Sequence, residues 1–234
     1  MKKKIIIIIV IIVLIFLALV GYLLYKDFKQ EELLQEELRE TIALVEQTPI
    51  DVDSVNKRLS TTVTSGDYYK VEKSCKEYLS NLFNNIVDLS STLNDEYLTQ
   101  ILTPENYKED GPDFVKTTLY ISDTKEKLEE GKNSYLENIT EEKILSYIQD
   151  KSLDDYYVDL YKNLTIGDGI LKDEGEIQEF ENSIDEVIKI LDVSNEVINF
   201  LKTNKNSWHI EDDKIIFTSE TLGNQYNELL LKLN

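Results

Sequence analysis

Histidine, cysteine, tryptophan and methionine occur once each among these 234 residues, proline three times and glycine eight times. Each scarcity closes a class of answers. With Cys75 alone no intramolecular disulfide can form, so the folded part relies on its core rather than on the cross-links common in secreted domains. With His209 alone a two-histidine zinc site is excluded, and imidazole acid–base chemistry has one side chain to run through. So few glycines and prolines cannot supply the many turns of an all-β sandwich. No glycine-rich phosphate loop is present, and Gly167-Asp168-Gly169 reads as a turn.

Basic charge is scarce as well, 25 Lys and Arg against 45 Asp and Glu, a net charge of −20. Setting aside Lys2, Lys3 and Lys4 leaves 22 basic residues against 45 acidic ones, a net of −23 for the rest. Such a surface repels phosphate backbones and anionic lipid head groups. Nucleic acid is not an expected partner.

What the chain does hold is an unbroken apolar run from Ile5 to Leu24, directly after Met1-Lys2-Lys3-Lys4. A helix of about 20 apolar residues spans the ~30 Å hydrocarbon core of a bilayer and satisfies its own backbone there. Cleavable signals use about 7–15 apolar residues followed by small ones, and Ala18-Leu19-Val20 is a poor cleavage site. The run predicts an uncleaved anchor over 5–25. Lys2 to Lys4 stay in the cytoplasm, and the remainder lies outside. Tyr22 and Tyr25 mark the outer interface. An Ile-, Lys-, Asn-, Glu- and Tyr-rich composition fits an AT-rich, Gram-positive bacterial source, and the same bias accounts for 14 tyrosines.

Residues 26–66 read as a helical stalk and linker. Leu34, Leu38, Ile42 and Val45 recur at helical spacing until Thr48-Pro49 interrupts them. Residues 67–234 read as a bundle of four to six helices. Its clearest stripe is Val71, Cys75, Tyr78, Leu82, Ile86, Leu89 and Leu93, starting at Asp67. A short helix near 96–102 ends before Thr103-Pro104. Asp113 caps a third helix from Phe114 towards Leu136, and Thr140 caps another through Ile148. A capping box, Asp173 to Glu176, opens the stripe Ile177 to Leu201, which Ser194 interrupts. Trp208-His209-Ile210 and Lys214 to Phe217 flank Glu211-Asp212-Asp213, a hairpin near 208–217 with a three-residue acidic loop. Leu222, Tyr226, Leu229 and Leu233 make a terminal helix.

Candidate chemistry is sparse. His209 on a strand between Trp208 and Ile210 faces away from both. Cys75 lies in an apolar stripe, where a thiol is an inert core residue. Asp168, Asp173, Glu174 and Glu176 invite a calcium reading, but their spacing does not match the Asp-x-Asp-x-Asp-Gly loop. Capping and solvation explain them without a metal. No carboxylate pair stands out for glycoside hydrolysis among 45 acids. Tyr156, Tyr157 and Tyr161 form the densest aromatic group and are the candidate binding residues, weighed against core packing with Leu153, Leu160 and Leu164.

The sequence therefore predicts a mainly α protein. It has a single N-terminal transmembrane helix, an extracytoplasmic helical bundle and a small C-terminal β-hairpin. The expected function is a non-enzymatic interaction module of a bacterial cell envelope, without cofactor or metal, that binds another envelope protein or itself. The alternative is a surface receptor for a peptide, glycan fragment or cation.

Overall fold

Apolar residues that recur every three or four positions can bury one stripe only as helices, and helices dominate the computed structural model of this chain. It describes residues 2–45, 47, 49–149, 151–167 and 174–233, with backbone alone at 2–13, 15, 16, 24, 167 and 174. Two compact units emerge, Met1–Phe83 with Ile139–Leu171, and Asn84–Asn138 with Lys172–Asn234.

The first unit holds α1 (Lys2–Val45), α2 (Val52–Leu59), the first part of α3 (Asp67–Leu93), α7 (Glu141–Ser146) and α8 (Asp155–Lys162). Helix α1 is continuous through the apolar run and the segment expected to be a stalk. That segment is packed rather than free, with Leu34, Leu38 and Thr41 buried. Among the described residues no helix is long and apolar enough to cross a membrane. The anchor expected over 5–25 therefore gains no support from them. Most side chains of the run, at 5–13, 15, 16 and 24, lie outside the described set, and what remains is short before Lys26 and Asp27.

The region 51–66, polar and threonine-rich, contains a real helix. The Asp51 carboxylate accepts from the Ser54 backbone N–H at 3.1 Å and from its hydroxyl at 2.6 Å, which starts α2. Helix α3 begins at Asp67 as its pattern predicts, with Val71, Cys75, Tyr78, Leu82 and Leu89 buried. Thr140 caps α7 through the Lys143 N–H at 3.3 Å.

The second unit holds the end of α3, α4 (Glu96–Gln100), α5 (Pro104–Asp110), α6 (Val115–Asn138), α9 (Glu174–Thr203), α10 (Glu220–Leu230) and two strands. Its core joins Leu89, Phe114, Ile121 and Leu128 to Ile184, Leu191, Ile198 and Leu201. Helices α6 and α9 pack against each other, and α10 packs on α9. Ser194 is buried within an unbroken α9, so the gap in the stripe is a polar seam position. Asp168 and Asp173, with the capping box and most of the calcium candidate, lie outside the described residues.

Two local expectations are corrected, and one is extended. The short helix α4 does end before Thr103-Pro104, which also opens the next helix. The Thr103 hydroxyl accepts the Asn106 N–H at 3.3 Å, and Pro104 at the first helical position starts α5. Helix α6 is capped by Asp110 instead of Asp113. The Asp110 carboxylate takes the N–H groups of Lys116 at 3.2 Å and Thr117 at 2.7 Å, across a bend where Phe114 adopts φ +47°. The hairpin loop has two residues, because Glu211 pairs with Lys214 in the antiparallel ribbon of β1 (Trp208–Glu211) and β2 (Lys214–Phe217). Asp212 and Asp213, at φ +49° and +55°, form a mirror-image turn whose twist suits paired strands.

Candidate functional site

The tyrosine group separates by depth. Helix α8 turns Tyr161 inward, where it is fully buried and donates its hydroxyl to the Ile144 carbonyl at 2.8 Å. Tyr161 therefore packs in the core. Tyr156 and Tyr157 face the other way and meet Tyr68 at the start of α3. The Tyr157 ring lies edge-on to Tyr68 at 5.1 Å and to Tyr156 at 5.2 Å between centroids. The Tyr156 hydroxyl donates to Glu31 Oε2 at 2.6 Å and stands 3.3 Å from the Tyr68 hydroxyl, which ties α8 to α1 and α3.

Beside these rings lies a groove of 690 Å³ along α1, lined by Leu23, Lys26, Asp27, Gln30, Tyr68 and Tyr157 among others. Its far wall is the turn Ser65-Gly66. Ser65 donates its N–H and its hydroxyl to Gln30 Oε1 at 2.6 and 3.0 Å. Gly66 sits at φ +66°, a left-handed conformation that leads into α3 and strains any residue with a Cβ.

The phenols beside the groove are held protonated, chiefly by burial at Tyr68 and Tyr157. Burial, then the Tyr156 hydroxyl and the negative field of Asp27, raises Tyr68 well above the ordinary phenol range. Burial followed by the charges of Asp27 and Asp67 raises Tyr157 too. The hydrogen bond to Glu31 is the main reason that Tyr156 is raised. Asp67 is paired with Lys70 at 2.8 Å, whereas Asp27 makes no hydrogen bond or ion pair with the described residues. Such a surface can recognise a ligand through rings, one cation and one unpaired carboxylate.

In the same unit, α1, α2 and α3 share a buried ionic cluster that hydrophobic patterning did not show. Lys76, 2% exposed, places its ammonium 2.6 Å from Glu37 and 2.9 Å from Glu72, and 2.7 Å from the Thr61 carbonyl. Arg58 grips Glu37 with two nitrogens, at 3.2 and 2.8 Å, and also bonds Glu40. Glu72, with no exposed surface, accepts from the backbone of Val63 and Thr64 and from the Thr64 hydroxyl at 2.6 Å. Burial pushes the Glu72 carboxyl up, but the bonds from Thr64 and Lys76 outweigh it and hold it below its usual range. Glu37, Glu40 and Glu72 share two cations, Lys76 and Arg58, and each carboxylate has at least one of them as a partner. The cluster fastens α1 to α2 and α3 and offers no free base.

A signal for it exists in α3. Tyr68, Leu79 and Phe83 are buried on a second face of that helix, and Glu72 and Lys76 interrupt their line. A charged pair inside an apolar stripe, four residues apart, marks a buried ion pair.

The residues considered for catalysis are placed apart in character. Cys75 is fully buried, and burial, reinforced by the nearby Glu72, drives its thiol far from ionisation. His209 is exposed on β1, with Nε2 3.6 Å from Glu211 Oε2. No group of three or more metal-ligating side chains occurs among the described residues. Comparison with protein-family models, curated proteins and solved structures finds no match for the chain.

Proposed function

We propose that this chain is a membrane-tethered interaction module at the outer face of a bacterial cytoplasmic membrane, anchored by Ile5–Leu24. One observation carries the reading. Leu14, Leu17, Leu19, Tyr22 and Leu23 are each at least 56% exposed and point around the whole circumference of α1. A helix that is apolar on every side needs an apolar surround, and the run lengthens this surface to a bilayer's thickness. Lys2 to Lys4 set its inner end. The module's work is binding, to another envelope protein or to a second copy, without cofactor.

The test is membrane fractionation of cells that express the full chain, followed by an impermeant protease on intact protoplasts. The chain is expected in the carbonate-resistant membrane pellet, with everything after Tyr25 digested. Recovery in the soluble fraction, or full protection, would sink the proposal. Crosslinking in the same cells then identifies the partner, as a heterologous band or a doubled mass. The receptor reading is favoured by the groove at Tyr68 and Tyr157, and it predicts that the Asp27→Asn chain keeps its stability while losing the ligand.

A further inference from the structure

The groove along α1 sits where the apolar run stops. Asp27 is three residues past Leu24 and Gln30 six, which is about 5 and 9 Å along a helix axis. The head-group layer of a leaflet is about 5–7 Å deep, by the difference between the hydrocarbon core and the whole bilayer. With Ile5–Leu24 in the bilayer, Lys26, Asp27, Tyr68 and Tyr157 open onto that layer.

We propose that this groove binds the head group of an amine-bearing zwitterionic phospholipid, its ammonium against Asp27 and the tyrosine rings and its phosphate against Lys26. The inference rests on the anchored reading above. Adjacent side chains of opposite charge, Lys26 and Asp27, match the adjacent phosphate and ammonium of such a head group. Aromatic faces attract an ammonium, more strongly where water is displaced. A volume of 690 Å³ takes a head group with room for its glycerol. Anionic lipids carry no ammonium for Asp27 and meet the chain's net charge of −20. Asp27, unlike Asp67 and Glu31, has no described partner to give up.

The experiment uses the full chain with ¹³C-labelled tyrosine rings in lipid nanodiscs of phosphatidylglycerol, with phosphatidylethanolamine added stepwise. Tyr157→Phe assigns the Tyr157 signal, and Tyr22 and Tyr25 report the bulk change of lipid. The Tyr157 ring is expected to shift and saturate as phosphatidylethanolamine is added. Asp27→Asn, which breaks no described contact, should raise the half-saturating fraction about tenfold, the loss of a charged hydrogen bond. A Tyr157 shift that needs no amine lipid, or that Asp27→Asn leaves unchanged, overturns the site. An equal shift from millimolar free ethanolamine in pure phosphatidylglycerol discs overturns the lipid as its source and assigns a soluble amine instead. A chain that fails to co-elute with the discs overturns the anchored reading along with this one. Co-elution with an unmoved Tyr157 overturns the head-group site alone.

Discussion

The two units bury different kinds of polar group. In the first, Glu37, Glu72 and Lys76 are all less than 10% exposed, whereas the buried polar side chains of the second are the neutral Asn106, Thr117, Thr124, Asn138 and Ser194. The second unit also packs its strained bend tightly with rings, Phe114 stacking on Trp208 at 5.9 Å and meeting Tyr107 edge-on at 5.7 Å. Ion pairs in a low-dielectric interior gain strength from one another only when every member is present, since removing one leaves another charge uncompensated. Neutral hydroxyls and amides have no such mutual dependence beyond a hydrogen bond. The first unit should thus be brittle to single charge changes and to acid, and the second to changes of shape.

The largest expected effect comes from Lys76→Met, which leaves Glu37 and Glu72 facing each other without their shared ammonium. A loss of about 3–5 kcal/mol is expected in urea unfolding. Far-UV dichroism reads the helices of both units, while fluorescence of Trp208, the only tryptophan, reads the second. The dichroism midpoint should move further than the fluorescence midpoint. Equal shifts in both would break the comparison by showing that the units unfold as one.

Gly111→Ala is the counterpart in the second unit. An added Cβ would lie 2.4 Å from the Tyr107 carbonyl oxygen, 3.0 Å from the Trp208 ring and 3.1 Å from the Phe114 ring. Backbone and packed rings have little room to give, so a cost of about 2–3 kcal/mol is expected. It should be seen first in Trp208 fluorescence and be insensitive to salt.

Acid sharpens the contrast. The Glu72 carboxyl is held below its ordinary value of 4.5. Its stabilisation is therefore complete above that pH and is lost as the pH falls through its lower folded value. Asp110 in the second unit is depressed in the same sense, its bonds from Thr117 and Lys116 outweighing burial, but from 3.8. On acidification the loss due to Glu72 should begin first, and Glu72→Gln should abolish that part of the pH dependence at the cost of stability at neutral pH.

Two smaller changes complete the series. Tyr161→Phe removes one buried bond to the Ile144 carbonyl and should cost about 1 kcal/mol. Ser194→Ala replaces a neutral buried hydroxyl in α9 with a better helix former, and a change within about 0.5 kcal/mol is expected. A large loss there would show that neutral polar groups in the second unit are as interdependent as the charges of the first.

Sequence pattern revealed what depends on periodicity. The stripes of α3 and α9, the strands around the Asp212-Asp213 turn and the inward Tyr226 of α10 all follow from spacing. It missed features that depend on a partner distant in the chain. Asp110 caps α6 across a bend, so the nearer Asp113 looked like the cap. Glu37 and Lys76 are 39 residues apart, and nothing in the spacing of either joins it to the other. In the tyrosine group the spacing of Tyr156, Tyr157 and Tyr161 gave proximity, but depth came from tertiary neighbours. Ile144 receives Tyr161, and Glu31 and Tyr68 receive Tyr156. Tyr68, Asp27 and Lys26 join the groove only because α1 lies beside α3 and α8.

Helix α1 runs unbroken for 44 residues, roughly 66 Å at ~1.5 Å each. The buried side chains Leu34, Leu38 and Thr41 grip it at one end without any joint before the apolar run. It is a shaft, and its angular setting is inherited. Inserting one residue near Phe28, which is exposed, turns everything before it by about 100° relative to Glu37 and Lys76 and advances it by ~1.5 Å. Inserting seven nearly restores the original setting. Whatever meets the apolar end therefore feels the register of a lysine some fifty residues away.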